Sequence, residues 1–401
     1  MKFAIATLGC KVNQYQSQLV REALVQGGAV EQDFSLPGAD LYLVNTCTVT
    51  HRSDAEARKL IRRGAAFGSR LVVTGCMAGA YPREVRALSG SLEVVPFGNL
   101  PEALGVPLPG HITRFRGHSR AFVNVQHGCS NRCTFCIVPE ARGGPRSRAM
   151  GEILREIECL HEAGFREIIL TGINIGLYEG GAASLLQQII EGSAMPRIRI
   201  SSIEPWTVTT ELVDLIAREV RICRHLHLPL QSGSDAVLSR MNRPYRAGYF
   251  RDLVLRLREE APDMAIGSDV MVGFPGEEEG DFSETESLVE GLDLAYLHVF
   301  PYSKRPGTPA AGFDGAVGAG VARERARRMR ELSKAKRSTF ISSRIGCEEE
   351  AVVTSAYGGG FTGLTSNYIK VEVAGEAPVH ALVRIVLTQA CEGHAKGRAL
   401  E

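Results

Sequence analysis

The run Cys129-Ser-Asn-Arg-Cys133-Thr-Phe-Cys136 brings three thiols together, with three and then two residues between them. Thiolates this close can ligate three irons of a 4Fe-4S cluster and leave the fourth iron open. A structural zinc is the plainer alternative, but zinc wants a closed set of four ligands, usually as two pairs. Cys10, Cys47 and Cys76 have a different kind of spacing. They stand in Leu8-Gly9-Cys10, Asn45-Thr46-Cys47 and Thr74-Gly75-Cys76, each just beyond a short apolar run. If those runs are parallel strands, the three loops leave one edge of the sheet and the cysteines meet in space. Independent buried cysteines are the rival reading. Core cysteines would fall within strands or on helix faces, however, so a second three-cysteine cluster is expected. A dinucleotide site would need a G-x-G-x-x-G after the first strand, and none is present. Cys159, Cys223, Cys347 and Cys391 share no spacing and read as structural.

The elements that must position these residues are legible as alternating strands and helices, which imply parallel sheets with crossovers. In residues 1–100, strands at 3–6, 41–44 and 71–73 alternate with helices at 18–25, 53–67 and 83–88, a small doubly wound domain. Residues 101–120, with Pro101, Pro107, Pro109 and Gly110, read as a linker. From 121 to 337, candidate strands begin at Ala121, Glu167, Arg197, His225, Ile266 and Ala295, giving an incomplete (βα)6 barrel. The Cys129 loop leaves its first strand at the carboxyl end, where such folds build their sites. Four further strand exits are polar: Thr171-Gly172-Ile-Asn174, Ser201-Ser202-Ile-Glu204, Gln231-Ser-Gly233 and Gly273 to Glu277. One such exit is an ordinary turn, but four beside a cysteine loop suggest a bound polar ligand. Residues 338–401 read as short strands of a small closed β-barrel of the oligonucleotide-binding kind. The fold class is therefore α/β with a C-terminal β-barrel.

Charge narrows the partners. With 46 basic against 45 acidic residues among 401, the chain is not a globally cationic nucleic-acid binder, so local patches must serve. Residues 321–337 hold eight Lys or Arg against two Glu, and residues 111–148 hold seven Arg against one Glu around the cysteine loop. The tail has five Lys or Arg and seven Asp or Glu, so RNA binding there would rest on a local face and on stacking by Phe361 or Tyr368. No apolar run approaches the ~18–20 residues of a membrane span and no signal peptide is evident, so no membrane partner and a cytoplasmic location are expected. In that reducing setting ten cysteines are ligands or core residues rather than disulfides.

The Cys129 loop resembles the radical S-adenosylmethionine signature. Thr7-Leu-Gly-Cys10-Lys-Val-Asn-Gln-Tyr15, Asn45-Thr-Cys47-Thr-Val and Thr74-Gly-Cys76 resemble the methylthiotransferase family, as do His227 to Ser234 and Asp269 to Glu277. The tail is similar to that family's TRAM domain, and Lys-Val-Asn-Gln after Cys10 looks most like its MtaB branch. The resemblance implies two 4Fe-4S clusters and S-adenosyl-L-methionine as cofactors. Cys129, Cys133 and Cys136 would hold the radical-generating cluster, and Cys10, Cys47 and Cys76 a sulfur-donating one. It further implies a tRNA substrate, threonylcarbamoyladenosine next to the anticodon, methylthiolated at carbon 2, and an external electron donor. Prenylated tRNA adenosine, a ribosomal-protein aspartate, or a role as an iron-sulfur RNA-binding redox sensor are the alternatives. Phe135, Gly172, Asn174, Ser202, Glu204 and Arg243 are the candidate S-adenosylmethionine contacts. The adenine carbon 2 hydrogen is neither acidic nor next to a leaving group, so acid–base catalysis has little to act on and a radical route is required.

Overall fold

The computed structural model describes residues 1–400. Its first sheet comprises β1 (Lys2–Thr7), β2 (Val30–Glu31), β3 (Leu41–Thr46), β4 (Arg70–Gly75) and β5 (Leu92–Val94), all parallel, in the order β2-β1-β3-β4-β5. The central strands are apolar on both faces because helices cover both. Leu41, Leu43 and Val72 pack with Val20 and Leu24 of α1 (Lys11–Gln26), while Tyr42, Val44, Leu71 and Val73 pack with Ala57 and Ile61 of α2 (His51–Ala66). Three short helices, α3 (Cys76–Ala80), α4 (Pro82–Arg86) and α5 (Leu100–Leu104), complete this part. The stretch expected to be a linker is not loose. It begins within α5, and Ile112 and Phe115 are buried in the core of the next sheet.

That next part is the half-barrel. β6 (Ala121–His127), flanked by the antiparallel β7 (Arg146–Ser147), pairs with β8 (Glu167–Gly172) and that with β9 (Arg197–Ile200). β10 (His225–His227), β11 (Ala265–Val272) and β12 (Tyr296–Pro301) form a second parallel set. A parallel bridge between Ser202 and His227 joins the two sets into one incomplete barrel. Helices α6 (Val138–Arg142), α7 (Met150–Glu162), α8 (Gly181–Gly192), α9 (Thr210–Arg218), α10 (Asp235–Arg240), α11 (Ala247–Glu260) and α12 (Glu279–Gly291) fill the crossovers. All six strands read from the sequence are present.

The basic run lies on α13 (Ala319–Ser343), a helix that continues past residue 337 and buries Phe340 and Ile341 in the C-terminal core. Much of its charge is already used. Arg325 pairs with Glu277 and Glu279, Arg327 with Glu324 and Glu331, and Arg328 with Glu279 and Glu286, while Lys336 and Arg337 donate to backbone carbonyls. Only Arg323, Arg330 and Lys334 remain exposed without a carboxylate pair among the described residues.

The tail closes a five-stranded barrel of β13 (Glu348–Tyr357), β14 (Gly360–Thr365), β15 (Lys370–Ala374), β16 (Leu382–Ala390) and β17 (Ala395–Ala399). It stoppers the amino-terminal mouth of the half-barrel. Arg199 donates to the carbonyls of Thr365 and Ser366, Arg197 to that of Leu364, and the Tyr368 ring stacks on His225 with centroids 4.3 Å apart. Of the two aromatics expected to stack on RNA, one is shut away from solvent and the other is only partly exposed. Phe361 is 1% exposed in the barrel core, and Tyr368 is engaged between the two barrels.

Candidate cluster and cofactor site

Strand register brings the first three cysteines together. Thr7 lies opposite Asn45, and Thr46 opposite Gly75, so the exits of β1, β3 and β4 are neighbours. Cys10 is the N-cap of α1, Cys47 follows β3, and Cys76 opens α3. Gly9 has φ +99°, and a Cβ there would sit 2.9 Å from the Cys47 sulfur. The turn into Cys10 thus works only with a residue that has no side chain. Cys47 and Cys76 are buried, and burial raises both thiols. Arg142, at the end of α6, reaches across from the half-barrel and places Nε 3.1 Å from the Cys76 sulfur.

The Cys129 loop follows β6 at its carboxyl end, as read from the sequence. The Cys129 backbone N–H donates to Gly143 O at 3.0 Å, the Asn131 N–H to the Cys129 sulfur at 3.4 Å, and the Cys136 N–H to Cys133 O at 3.1 Å. Burial raises all three thiols, pushing Cys136 up to about 12. Thiols held neutral by burial become thiolates when a cation supplies the compensating charge, which is what a metal cluster does.

A cavity of about 210 Å³ opens beside this loop, lined by all three cysteines. Phe135, Asn174, Ser202, Glu204 and Arg243 also line it, so five of the six residues chosen as cofactor contacts share one space. Gly172 does not. It ends β8 and packs against Gln126, where a Cβ would lie 3.1 Å from the Gln126 carbonyl oxygen. Arg243 is held between Glu204 (2.5 Å), the Cys133 sulfur (3.3 Å) and the Trp206 ring (4.7 Å to its centroid). Burial raises the Glu204 carboxyl, and Arg243 opposes that rise. Asn174 is 3% exposed, its backbone N–H fixed on Gln126 Oε1 at 2.9 Å. Neither atom of its amide makes a hydrogen bond of ordinary geometry, although the group lies beside the Cys129 sulfur. A buried amide with donor and acceptor unused costs free energy unless a polar ligand satisfies it. The donor set and this amide together fit an iron-sulfur cluster with a polar cofactor on it. Larger cavities, of about 940 and 880 Å³, lie near the C-terminal barrel and contain no cysteine of either set.

One group was not assigned from sequence. His227 Nε2 is 2.9 Å and His298 Nδ1 3.4 Å from the same Asp269 oxygen, and Asp269 also lines the cysteine cavity. Burial would raise the Asp269 carboxyl, but hydrogen bonds from the two histidines outweigh it and hold it well below the usual range. The period-2 alternation of His225 with His227 and of Tyr296 with His298, on strands flanking β11, was the signal that these side chains share the inner face. Around the cysteine loop, Arg116, Arg120 and Arg148 pair with Glu31, Glu167 and Glu156. Arg132 and Arg146 are exposed and make no carboxylate pair among the described residues.

Comparison with known proteins agrees with this layout. Residues 123–289 match the Radical SAM superfamily and residues 2–96 match the uncharacterized protein family UPF0004. The chain is 37% identical to threonylcarbamoyladenosine tRNA methylthiotransferase MtaB of Bacillus subtilis, covering 96% of this chain and 94% of that one. The MtaB of Aquifex aeolicus is 34% identical over 96% of this chain and all of its own length (100%). A tRNA-2-methylthio-N(6)-dimethylallyladenosine synthase of Thermus thermophilus is 38% identical, over 77% of this chain and 72% of its own. In fold the chain is similar to the radical S-adenosylmethionine methyltransferase TsrM of Kitasatospora setae, with a TM-score of 0.57 at 16% identity, covering 77% of this chain and 76% of that one. Two converging cysteine sets, each within its own matched segment, and relatives spanning nearly the whole length place this chain in the radical S-adenosylmethionine methylthiotransferase family.

Proposed function

We propose that this enzyme installs a methylthio group on carbon 2 of threonylcarbamoyladenosine, next to the anticodon of tRNA. The observation that carries the substrate assignment is coverage. The MtaB relatives align over 96% of the chain, tail included, whereas the prenyladenosine relative aligns over 77%. In this reading residues 1–100 carry the sulfur-donating site, 121–337 the radical-generating site, and 338–401 a TRAM-like barrel.

When bound, the cluster on Cys129, Cys133 and Cys136 supplies the electron that cleaves S-adenosylmethionine, and the cluster on Cys10, Cys47 and Cys76 supplies sulfur. The protein's own contribution is placement and exclusion of water. Asn174 offers an unused donor and acceptor to the cofactor's polar groups. Arg243 and Glu204 form a neutral, rigid wall beside Cys133. Phe135 closes the apolar side, edge-on to Phe274 with centroids 6.5 Å apart. Arg132, one residue before Cys133, and Arg146 on β7 are exposed cations free to meet RNA phosphates, and Arg323, Arg330 and Lys334 on α13 are further exposed cations. An external one-electron donor and a cytoplasmic location complete the proposal; no helix among the described residues is long and apolar enough to cross a membrane.

Mass spectrometry of tRNA nucleosides from a strain lacking this gene tests the substrate. Loss of methylthio-threonylcarbamoyladenosine with methylthio-prenyladenosine retained is expected, and unchanged methylthio-threonylcarbamoyladenosine would overturn the assignment.

A further inference from the structure

The helix that follows Cys136 ends on an arginine whose guanidinium lies in the other cysteine set. Arg142 donates through Nε to the Cys76 sulfur at 3.1 Å and through Nη2 to Asn13 Oδ1. Asn13 in turn donates from its amide nitrogen to Leu8 O at 2.7 Å and Thr46 O at 2.9 Å, carbonyls of the loops leading to Cys10 and Cys47. One side chain of the half-barrel is therefore hydrogen-bonded, directly or at one remove, to all three loops of the first sheet.

No carboxylate among the described residues pairs with Arg142. Guanidinium does not give up its proton in proteins, so a fixed positive charge stays beside the Cys76 sulfur. Its partners among the described residues are the Cys76 sulfur, which becomes a thiolate on ligating a cluster, and the neutral Asn13 amide. This distinguishes it from Arg243, whose charge on Cys133 is already shared with Glu204. The seating is tight as well. A Cβ on Gly79, in α3, would lie 2.6 Å from Ala141 O, so the helix opened by Cys76 and the helix ending in Arg142 meet backbone to backbone.

We propose that Arg142 is a positioning residue for the sulfur-donating cluster: it fixes that cluster against the radical-generating loop and raises its reduction potential relative to the same site without the arginine. This rests on the assignment of Cys10, Cys47 and Cys76 as cluster ligands. A 4Fe-4S core on three thiolates is net negative and gains one more negative charge on reduction. A fixed cation with an N–H on a ligating sulfur favours the reduced form, since net charge and hydrogen bonds to sulfur set cluster potentials. The Cys129 set, touched by Arg243 and not by Arg142, should be insensitive to changes at residue 142.

The test is a redox titration of the reconstituted full-length protein followed by electron paramagnetic resonance. The two cluster signals are assigned with Cys10→Ala/Cys47→Ala/Cys76→Ala and Cys129→Ala/Cys133→Ala/Cys136→Ala. Arg142→Gln should keep its iron and shift the reduced-to-oxidised ratio of the first-sheet cluster about tenfold toward oxidised at fixed potential, about 59 mV lower for one electron. The other midpoint should not move. Arg142→Lys, which keeps charge but loses the forked geometry, should fall between Gln and wild type, and it decides the matter if the Gln protein fails to load. Tyr81→Phe removes a different contact to the half-barrel, Tyr81 Oη to Pro306 O at 3.0 Å, and should leave both midpoints in place. An unmoved first-sheet midpoint in a loaded Arg142 variant, or an equal shift in Tyr81→Phe, would overturn the proposal. If wild type itself lacks the second signal, the ligand assignment fails instead, and the two failures are distinct.

Discussion

Arg243 Nη1 lies 3.3 Å from the Cys133 sulfur while Nη2 of the same guanidinium binds Glu204 at 2.5 Å. One arginine therefore links a cluster ligand from the β6 loop to a carboxylate from the β9 exit. Arg243 is almost wholly buried and Glu204 largely so. Arg243→Ala should destabilise the protein by about 3 kcal/mol, because it strands a carboxylate in a site with little water. Adding Glu204→Gln should recover part of that loss, and a double-mutant cycle by thermal or chemical denaturation should give a coupling of about 1–3 kcal/mol. Additive effects would mean that the pair is not energetically real.

Asn174 leads to the opposite pattern. Its amide is buried and unsatisfied in the free protein, so Asn174→Ala should cost little stability. The same change should weaken S-adenosylmethionine binding about tenfold, one hydrogen bond's worth or about 1.4 kcal/mol. Equilibrium dialysis with reconstituted protein measures this, and a large fall in melting temperature with unchanged affinity would assign Asn174 to the scaffold.

Glu167 holds Arg197 and Arg199, the two arginines that donate to carbonyls of the C-terminal barrel. Burial alone would raise its carboxyl, but Arg197, Arg199 and Arg120 outweigh that and bring it from 4.5 to about 2. Because the folded value is the lower one, the stabilisation from this group is full above pH 4.5 and is lost as pH falls from about 4.5 through 2. Glu167→Gln should cost about 3–5 kcal/mol near neutrality. It should also flatten the acid limb of the stability profile. A variant with the wild-type acid limb would show that the carboxylate is not the titrating partner.

Tyr368 is placed to hold the two barrels together, with its ring on His225 and under the Arg199 guanidinium, 5.3 Å from centroid to Arg199 Cζ. Tyr368→Ala should lower stability by about 2–3 kcal/mol, and Tyr368→Phe, which keeps the ring, should behave like wild type. Gel-shift titration with tRNA alongside denaturation separates this from a stacking role. Weakened tRNA binding at full stability would restore the RNA-stacking expectation.

The cysteine sets were legible because strand exits in a parallel sheet share an edge, a rule that needs no side-chain detail. The six strands of the half-barrel were legible from their apolar runs. β2, with two residues, and β17, Ala-Lys-Gly-Arg-Ala, carry too little apolar pattern to be read. The basic run on α13 was legible only as composition, which cannot show that Glu277, Glu279 and Glu286, some forty to fifty residues earlier, already neutralise Arg325 and Arg328. Arg142 was counted only as local positive charge. Its partner Cys76 belongs to another sheet, and no pattern within either segment links them.

The central claim is a division of labour between two three-cysteine sets. Anaerobically reconstituted wild type should hold about eight irons per chain. Cys10→Ala/Cys47→Ala/Cys76→Ala should hold about four and still release 5′-deoxyadenosine from S-adenosylmethionine under reduction, with no methylthio product. Unchanged iron in that variant, or loss of cleavage with the Cys129 cluster intact, would contradict the account.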